Sequence, residues 1–336
     1  MLEVCNKESL VFTFPEISKD VKFNVRFQRT IRVPDDGKEY PLPAGLGSFP
    51  IKHIEDYENK LPDSWAKHGG VMLPVHENEA LWINFSCSYI QERRARYPFA
   101  VMVGTGKINA INGTQWSGTL DGQNQNYVVS PGQPWIDGYR VGNGVVRQFV
   151  SVPLGEGATV EEQITGSDVH GGIQIQVFPM KLDVFKSMFP VISEEDDGPQ
   201  VMYSLRKASS GLGAGGLIKQ KIYPDPFDIN DWDEDISSRV FVHLLNADIW
   251  KDVTGECPPP KPAGAWLMNE AGVPWFKLND ESCIEIGSSG EPFSKIGSVG
   301  KFISKQASWL LGNIGFKPKN IVSVKCSTAV KESGEW

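Results

Sequence analysis

The sequence predicts a mainly β, α+β protein: an antiparallel β-sandwich or flattened barrel with short helices and long Pro/Gly-rich loops. Three observations carry this reading. Several runs alternate apolar and polar residues with a period of two, as strands do when one face is buried and the other is wet. The composition, with 34 Gly, 23 Pro, 10 Trp, 17 Phe and 8 Tyr, suits a turn-rich β protein better than a helical bundle. A chain of 336 residues buries roughly three quarters of its unfolded surface, so a core forms without staples.

In chain order, Phe23, Val25, Phe27, Ile31 and Val33 share one parity and Asn24, Arg26, Gln28, Thr30 and Arg32 the other. This is a long amphipathic strand, interrupted on its apolar side by Arg29. Pro34-Asp35-Asp36-Gly37 is a turn, and Tyr40 to Pro50 is too rich in Pro and Gly for a ladder, so a covering loop is expected. A short helix around Ile54 to Lys60 is stopped by Pro62. Leu81, Ile83 and Phe85 alternate with Trp82 and Asn84 in a strand. Phe99 to Val103 and Lys107 to Ile111 flank Gly104-Thr105-Gly106 as a hairpin. Val145 to Val152 is strand-like, and Ile173, Ile175 and Val177 alternate with Gln174 and Gln176 in a half-buried strand. Between them Thr159 and Glu162 have the spacing of a capping box, with Gly166 ending the helix. Further on, Leu182 to Met188 is a short helix, Glu194 to Gly198 an acidic loop, and Val201 to Leu205 and Leu217 to Tyr223 extended. Arg239 to Leu245 is a strand, after which Asn246 caps a helix from Ala247 to Val253 that closes at Gly255. The proline run marks the organisation: 1–255 as the main β-rich domain, 256–262 as a stiff spacer, and 263–336 as a C-terminal extension packing back on it. Ile296, Val299 and Ile303 define one face of a short helix there.

With 33 basic and 41 acidic residues and a net charge of −8, the chain is ill suited to a nucleic-acid backbone or an anionic membrane surface. Cys5, Cys87, Cys257, Cys283 and Cys326 form neither a disulfide framework nor a zinc ribbon by their number and spacing. No membrane span or signal peptide is recognisable, and a cytoplasmic protein is expected.

Chemistry is sparse. Gly211-Leu212-Gly213-Ala214-Gly215-Gly216 has the G-x-G-x-x-G spacing of a dinucleotide loop, but Pro224 arrives too soon for a crossover helix, so a flexible loop is expected. Asp231, Asp233 and Asp235 alternate as calcium ligands can, yet Ile236 stands where an EF-hand loop needs Gly, so a solvated acidic loop is the plainer reading. No other cofactor is expected. His68-Gly69-Gly70 and His170-Gly171-Gly172 resemble the oxyanion loops of esterases, without the G-x-S-x-G elbow that would supply a nucleophile. The most informative polar and aromatic set is Trp135 and Asp137 in Gln133-Pro134-Trp135-Ile136-Asp137-Gly138, with Arg147 and the pair Glu161, Glu162. Trp135, Arg147 and His170 are the candidate ligand contacts, and Asp137, Glu161 and Glu162 the candidate catalytic carboxylates. The plainer alternative has Trp135 filling the core, Asp137-Gly138 turning the chain and Glu162 capping a helix.

The segments Phe27–Gly37, Glu79-Ala80-Leu81-Trp82, Gln133–Gly138, Arg147-Gln148-Phe149-Val150 and Ala271-Gly272-Val273-Pro274-Trp275-Phe276 resemble those of a largely bacterial family of uncharacterised proteins of similar length. The resemblance spans most of the chain and implies a single architecture; it implies no catalytic residue. Two functions follow as expectations. The first is a non-enzymatic cytoplasmic binding or self-assembling structural protein, its partner a second copy, a small molecule or a glycan. The alternative is a hydrolase, acting on glycans, that uses Asp137 with Glu161 or Glu162.

Overall fold

The computed structural model describes residues 1–191, 212–280, 283–287, 293, 295–303 and 313–325. Two sheets stack face to face. The first is 10-stranded and runs Leu2–Cys5, Ser9–Thr13, Lys22–Thr30, Ala80–Cys87, Val145–Val150, Gly213–Lys219, Glu39–Tyr40, with Trp135–Ile136, Gly138–Gly142 and Gly45–Ser48 as side branches. The second is 7-stranded and runs Ile108–Asn109, Phe99–Thr105, Ile173–Pro179, Ser238–Asn246, Val71–Val75, Lys52–His53, with Val128–Ser130 beside Phe99–Thr105. The mainly β class stands. Pairing is mostly antiparallel, but each sheet carries one parallel pair, Gly213–Lys219 with Glu39–Tyr40 and Ser238–Asn246 with Val71–Val75.

Alternation explains how the sheets meet. Phe23, Val25 and Phe27 point inward and are 0% exposed. Phe23 sets its ring 5.0 Å from that of Phe99 on the facing sheet, and Phe14 packs 5.5 Å from the same ring. Such aromatic pairs add about 0.5–1.5 kcal/mol each beyond the area they bury. Polar contacts also cross the same interior: Thr105 Oγ1 meets the Tyr139 hydroxyl at 2.7 Å, and Cys87 Sγ donates to Ser130 Oγ at 3.2 Å.

The wet faces expected from that alternation are in fact covered. Gln174 and Gln176 are buried, Gln174 accepting from the Lys107 amide at 2.7 Å and Gln176 donating to Ser237 Oγ at 3.1 Å. On the first sheet, Gln148 is 0% exposed, accepts from the Val33 amide at 2.9 Å and donates to the Ile31 carbonyl at 3.0 Å. Amide side chains suit this role because they donate and accept at once. The cover over the first sheet is the 31–49 segment together with a parallel ribbon of Trp275–Asn279 and Ile321–Lys325. Leu42 and Phe276 exchange backbone hydrogen bonds of 2.9 and 2.8 Å, and the Phe316 ring packs at a tilt against both buried Trp275 and Tyr40. The Tyr40–Pro50 loop is therefore partly ladder: Gly45–Ser48 pairs with Gln28 and Thr30 across a register irregularity.

The helices are short and explained by their ends. Thr159 and Glu162 close a reciprocal capping box on Val160–Thr165, and Gly166 (φ 75°) ends it. Thr159→Ala removes the hydroxyl that receives the Glu162 amide and is expected to lower stability by about 1 kcal/mol in urea denaturation. Asn246 caps Ala247–Thr254 by accepting from the Asp248 amide. Leu182–Met188 is helical where expected, and Val299–Ile303 is helical, but Ile296, expected on its face, lies in a bend before it. The 3-10 turn Glu55–Lys60 ends before Pro62 as expected, and Pro62 in addition stands at the N-cap of a further helix, Asp63–His68, where its φ of −58° fits and no proline N–H is needed.

The glycine-rich run is corrected from loop to strand. Gly213–Lys219 lies between Val145–Val150 and Glu39–Tyr40, and a Cβ on Gly216 would sit 2.3 Å from the Pro34 carbonyl oxygen. Its glycines admit close neighbours, and the run forms a strand and does not open a helix. Gly211, Glu194–Gly198, Val201–Leu205 and Cys326 lie outside the described residues.

The proline-rich run forms neither helix nor strand and is held at two carbonyls. His76 Nε2 meets the Pro259 oxygen at 2.7 Å and Arg29 Nη2 the Pro260 oxygen at 2.6 Å. Arg29, the one charge on the apolar parity of its strand, forms a buried ion pair with Glu79. Among the described residues no helix is long and apolar enough to cross a membrane.

Candidate functional site

Two cavities concentrate the chemistry. The first, of about 420 Å³, lies on the outer face of the first sheet. Its floor comes from strand parity: Leu81, Ile83 and Phe85 turn into the core, so Trp82 and Asn84 turn outward. Trp135 stands opposite Asn84 in the ladder and faces the same way, while Ile136 opposite Ile83 is 0% exposed. The Leu42–Gly47 loop forms a wall, and Phe276, Leu278 and Val324 of the parallel ribbon close the cavity. Among the described residues, no charged side chain lines it.

The segment bearing Trp135 is held by its own amides. Gln133 donates to the carbonyls of Trp135 (3.1 Å) and Lys221 (3.3 Å) and accepts from the Tyr223 amide (3.1 Å). Trp135 Nε1 donates to Asp137 Oδ2 at 2.6 Å, and the Asp137 amide donates to Gln220 at 2.9 Å. Asp137 does not turn the chain: it is 1% exposed, and Gly138 after it begins a strand. Burial pushes the Asp137 carboxyl up to about 7, against the pull of the Trp135 N–H. Beside the cavity, Gln28 pairs with Trp82 on one side and Ser48 on the other. Directly opposed residues share a face of the sheet. Gln28 is 0% exposed, and neither its amide nor the Ser48 hydroxyl has a partner among the described residues.

The second cavity, of about 270 Å³, is bounded by the Thr105-Gly106 and His170–Gly172 turns, the segment after Val145–Val150, and the end of Ser238–Asn246. Glu161 is 2% exposed, and its oxygens accept from the His170 amide at 2.8 Å and the Gly171 amide at 2.7 Å. The amides of an oxyanion loop are thus occupied by the protein's own carboxylate. A Cβ on Gly106 (φ 54°) would collide with Glu161 Oε2, so glycine at this position admits the carboxylate. In the other His-Gly-Gly segment, His68 ends a helix, Gly69 caps it and Gly70 precedes Val71–Val75. The Gly69 carbonyl accepts from His243 Nε2 at 3.1 Å, and the His243 ring stacks on Trp65 with centroids 4.4 Å apart. Burial pushes His243 down to about 4, so its imidazole is neutral at physiological pH.

The sequence-derived candidates are therefore dispersed. Trp135 lines the first cavity, and Glu161 and His170 line the second. Asp137 and Arg147 belong to neither lining. Arg147 pairs with Tyr139 and Leu217 at a ladder irregularity, its Nε without a partner among the described residues. Glu162 accepts four hydrogen bonds as a cap, from the amides of Gly155, Gly157 and Thr159 and the Thr159 hydroxyl. Burial alone would raise its carboxyl, but these donors hold it below the usual range. In the acidic loop, Asp231 accepts from the Asp228 amide, and Asp233 from those of Asp235 and Ile236. Among the described residues no three His, Cys, Asp or Glu side chains gather as metal ligands.

Trp82, Asn84 and Phe276 in the first cavity, and Trp65, Glu77 and His243 in the second, were not among those candidates. Parity put Trp82 and Asn84 on one face, but the register that brings Trp135 beside them is a tertiary fact. No family model, curated protein or solved structure matches this chain.

Proposed function

We propose that the protein is a non-enzymatic binding module for a neutral saccharide, held in the cavity between Trp82, Trp135 and Phe276. The observation that carries this reading is the pair of half-buried indoles sharing one preformed cavity. Binding cavities of this kind are mostly apolar with a few convergent polar groups, and about 420 Å³ falls within their usual range. The C–H face of a pyranose rests on the electron-rich face of an indole. Its hydroxyls, which donate and accept, find like groups in Asn84 and, beside the cavity, in Gln28 and Ser48. The absence of charge from the described lining favours a neutral ligand, since a desolvated ion would lack a counter-charge. A hydrolase built on Asp137 with Glu161 or Glu162 is disfavoured, because Asp137 is buried beneath Trp135, Glu161 lines the other cavity and Glu162 is consumed as a cap. A reducing cytoplasm is supported by the free thiols of Cys5, Cys87, Cys257 and Cys283.

The test is a tryptophan-fluorescence titration of the full chain with cellotetraose, maltotetraose and chitotetraose. At least one is expected to give a saturable change, weakened about tenfold by either Trp82→Ala or Trp135→Ala. No response to any of the three, or wild-type affinity in both variants, overturns the reading.

A further inference from the structure

The second cavity shares no lining residue with the first and carries an unbalanced charge. Glu161 is 2% exposed, and among the described residues no Lys or Arg forms an ion pair with it. Glu77 adds a second carboxylate to the lining, and no Lys or Arg of the described residues stands there. A buried carboxylate held among the described residues by two neutral amides is an acceptor with capacity to spare, in a place where desolvation makes an unpaired charge costly.

The remaining walls favour one kind of cation. Trp65 contributes an indole backed by the His243 ring at 4.4 Å, a surface that attracts an organic ammonium through its quadrupole. Thr105 contributes an acceptor of fixed sense. The Tyr139 hydroxyl donates to the Leu212 carbonyl at 2.8 Å, so at the 2.7 Å contact Thr105 donates to Tyr139 and keeps its own lone pairs for another donor. A bare metal ion fits poorly, because no three metal-ligating side chains gather among the described residues. A primary ammonium brings three N–H donors, one for each of the two carboxylates and the hydroxyl, and a positive charge that offsets one of the two negative ones.

We propose that this cavity binds a small primary alkylammonium ligand, its N–H groups taken by Glu161, Glu77 and Thr105 and its charge resting against Trp65. The volume of about 270 Å³ sets the size class at a short aliphatic amine. The proposal is independent of saccharide binding at the first cavity.

The experiment is isothermal titration of the full chain with n-butylammonium chloride at low ionic strength and pH 8, where screening is weak and ordinary imidazoles are neutral. One saturable site is expected, with no binding of the isosteric n-butanol. Glu77→Gln, at a surface position that leaves the fold intact, is expected to weaken binding on the order of tenfold, as loss of one charge-assisted hydrogen bond does. Glu161→Gln is expected to abolish it, with circular dichroism confirming the fold; should that variant not fold, Glu77→Gln decides. No heat with butylammonium, equal binding of butanol, or unchanged affinity in Glu77→Gln overturns the proposal.

Discussion

Arg29→Met is expected to lower the unfolding free energy by about 3–5 kcal/mol, the range for removing one partner of a buried ion pair. The side chains of Arg29 and Glu79 are 5% and 0% exposed, and Nε lies 2.5 Å from Oε1. Methionine matches the length of the arginine stem, so the loss is mainly electrostatic: among the described residues Glu79 would keep only the His76 amide, at 3.0 Å, to satisfy a fully buried carboxylate. A second consequence follows from the far end of the guanidinium, which donates to the Pro260 carbonyl and lies 5.5 Å from the Phe49 ring centroid. With both contacts gone, the 256–262 run keeps the His76 contact to Pro259 and, at its start, the Glu256 ion pair with Lys52 at 2.6 Å, and cleavage beyond Pro259 by a nonspecific protease is expected to accelerate. The double variant Arg29→Met/Glu79→Met is expected to recover most of the loss, because a well-packed apolar pair replaces a desolvated ionic one without an orphaned charge. Urea denaturation of the two single variants and the double variant measures the coupling. Single variants within 1 kcal/mol of wild type would show that the pair is not essential to the fold.

The same arginine marks how far the fold can be read from residues. Alternation over Lys22–Thr30 and Ile173–Pro179 states that a strand has two chemically different faces, and both strands are there. It does not state what lies over the polar face. Gln28, Gln148, Gln174 and Gln176 read as surface and are buried, because segments far away in the chain cover them; Gln148 reaches backbone groups 115 and 117 residues distant. Local chemistry was more legible. The Thr159–Glu162 box and the Asn246 and Gly255 caps act within one or two turns and need no partner elsewhere. Gly213–Lys219 shows the opposite limit: glycines that favour a loop by local propensity become a strand because neighbours approach too closely for any side chain. The first cavity was half legible. Trp135 stood out in sequence, but its meeting with Trp82 depends on ladder register, and its meeting with Phe276 on the C-terminal ribbon folding back to Leu42.

Asp137→Asn is expected to stabilise the protein at alkaline pH and to leave it nearly unchanged at pH 4. The carboxyl has an ordinary value of 3.8 and is pushed up to about 7 by burial. A group whose value is raised on folding favours the folded state fully below its unfolded value, and that contribution is lost as pH rises through the folded value. For wild type the window therefore runs from about pH 4 to pH 7, above which the folded protein holds an ionised carboxylate in its interior. A shift of about three units at ~1.4 kcal/mol each corresponds to a penalty on the order of 4 kcal/mol at pH 8. Asparagine keeps an oxygen for the Trp135 N–H, 2.6 Å away in wild type, and cannot ionise, so the penalty disappears. Urea denaturation of both proteins from pH 4 to pH 9 should give a stability difference that grows with pH and levels off above 7. The Trp135 indole provides a second readout, because its hydrogen-bond partner changes charge in the same window. Tryptophan emission of the folded wild type should titrate near pH 7, and that step should vanish in Asp137→Asn. A stability difference independent of pH would mean that Asp137 stays protonated, or is solvated, throughout the range.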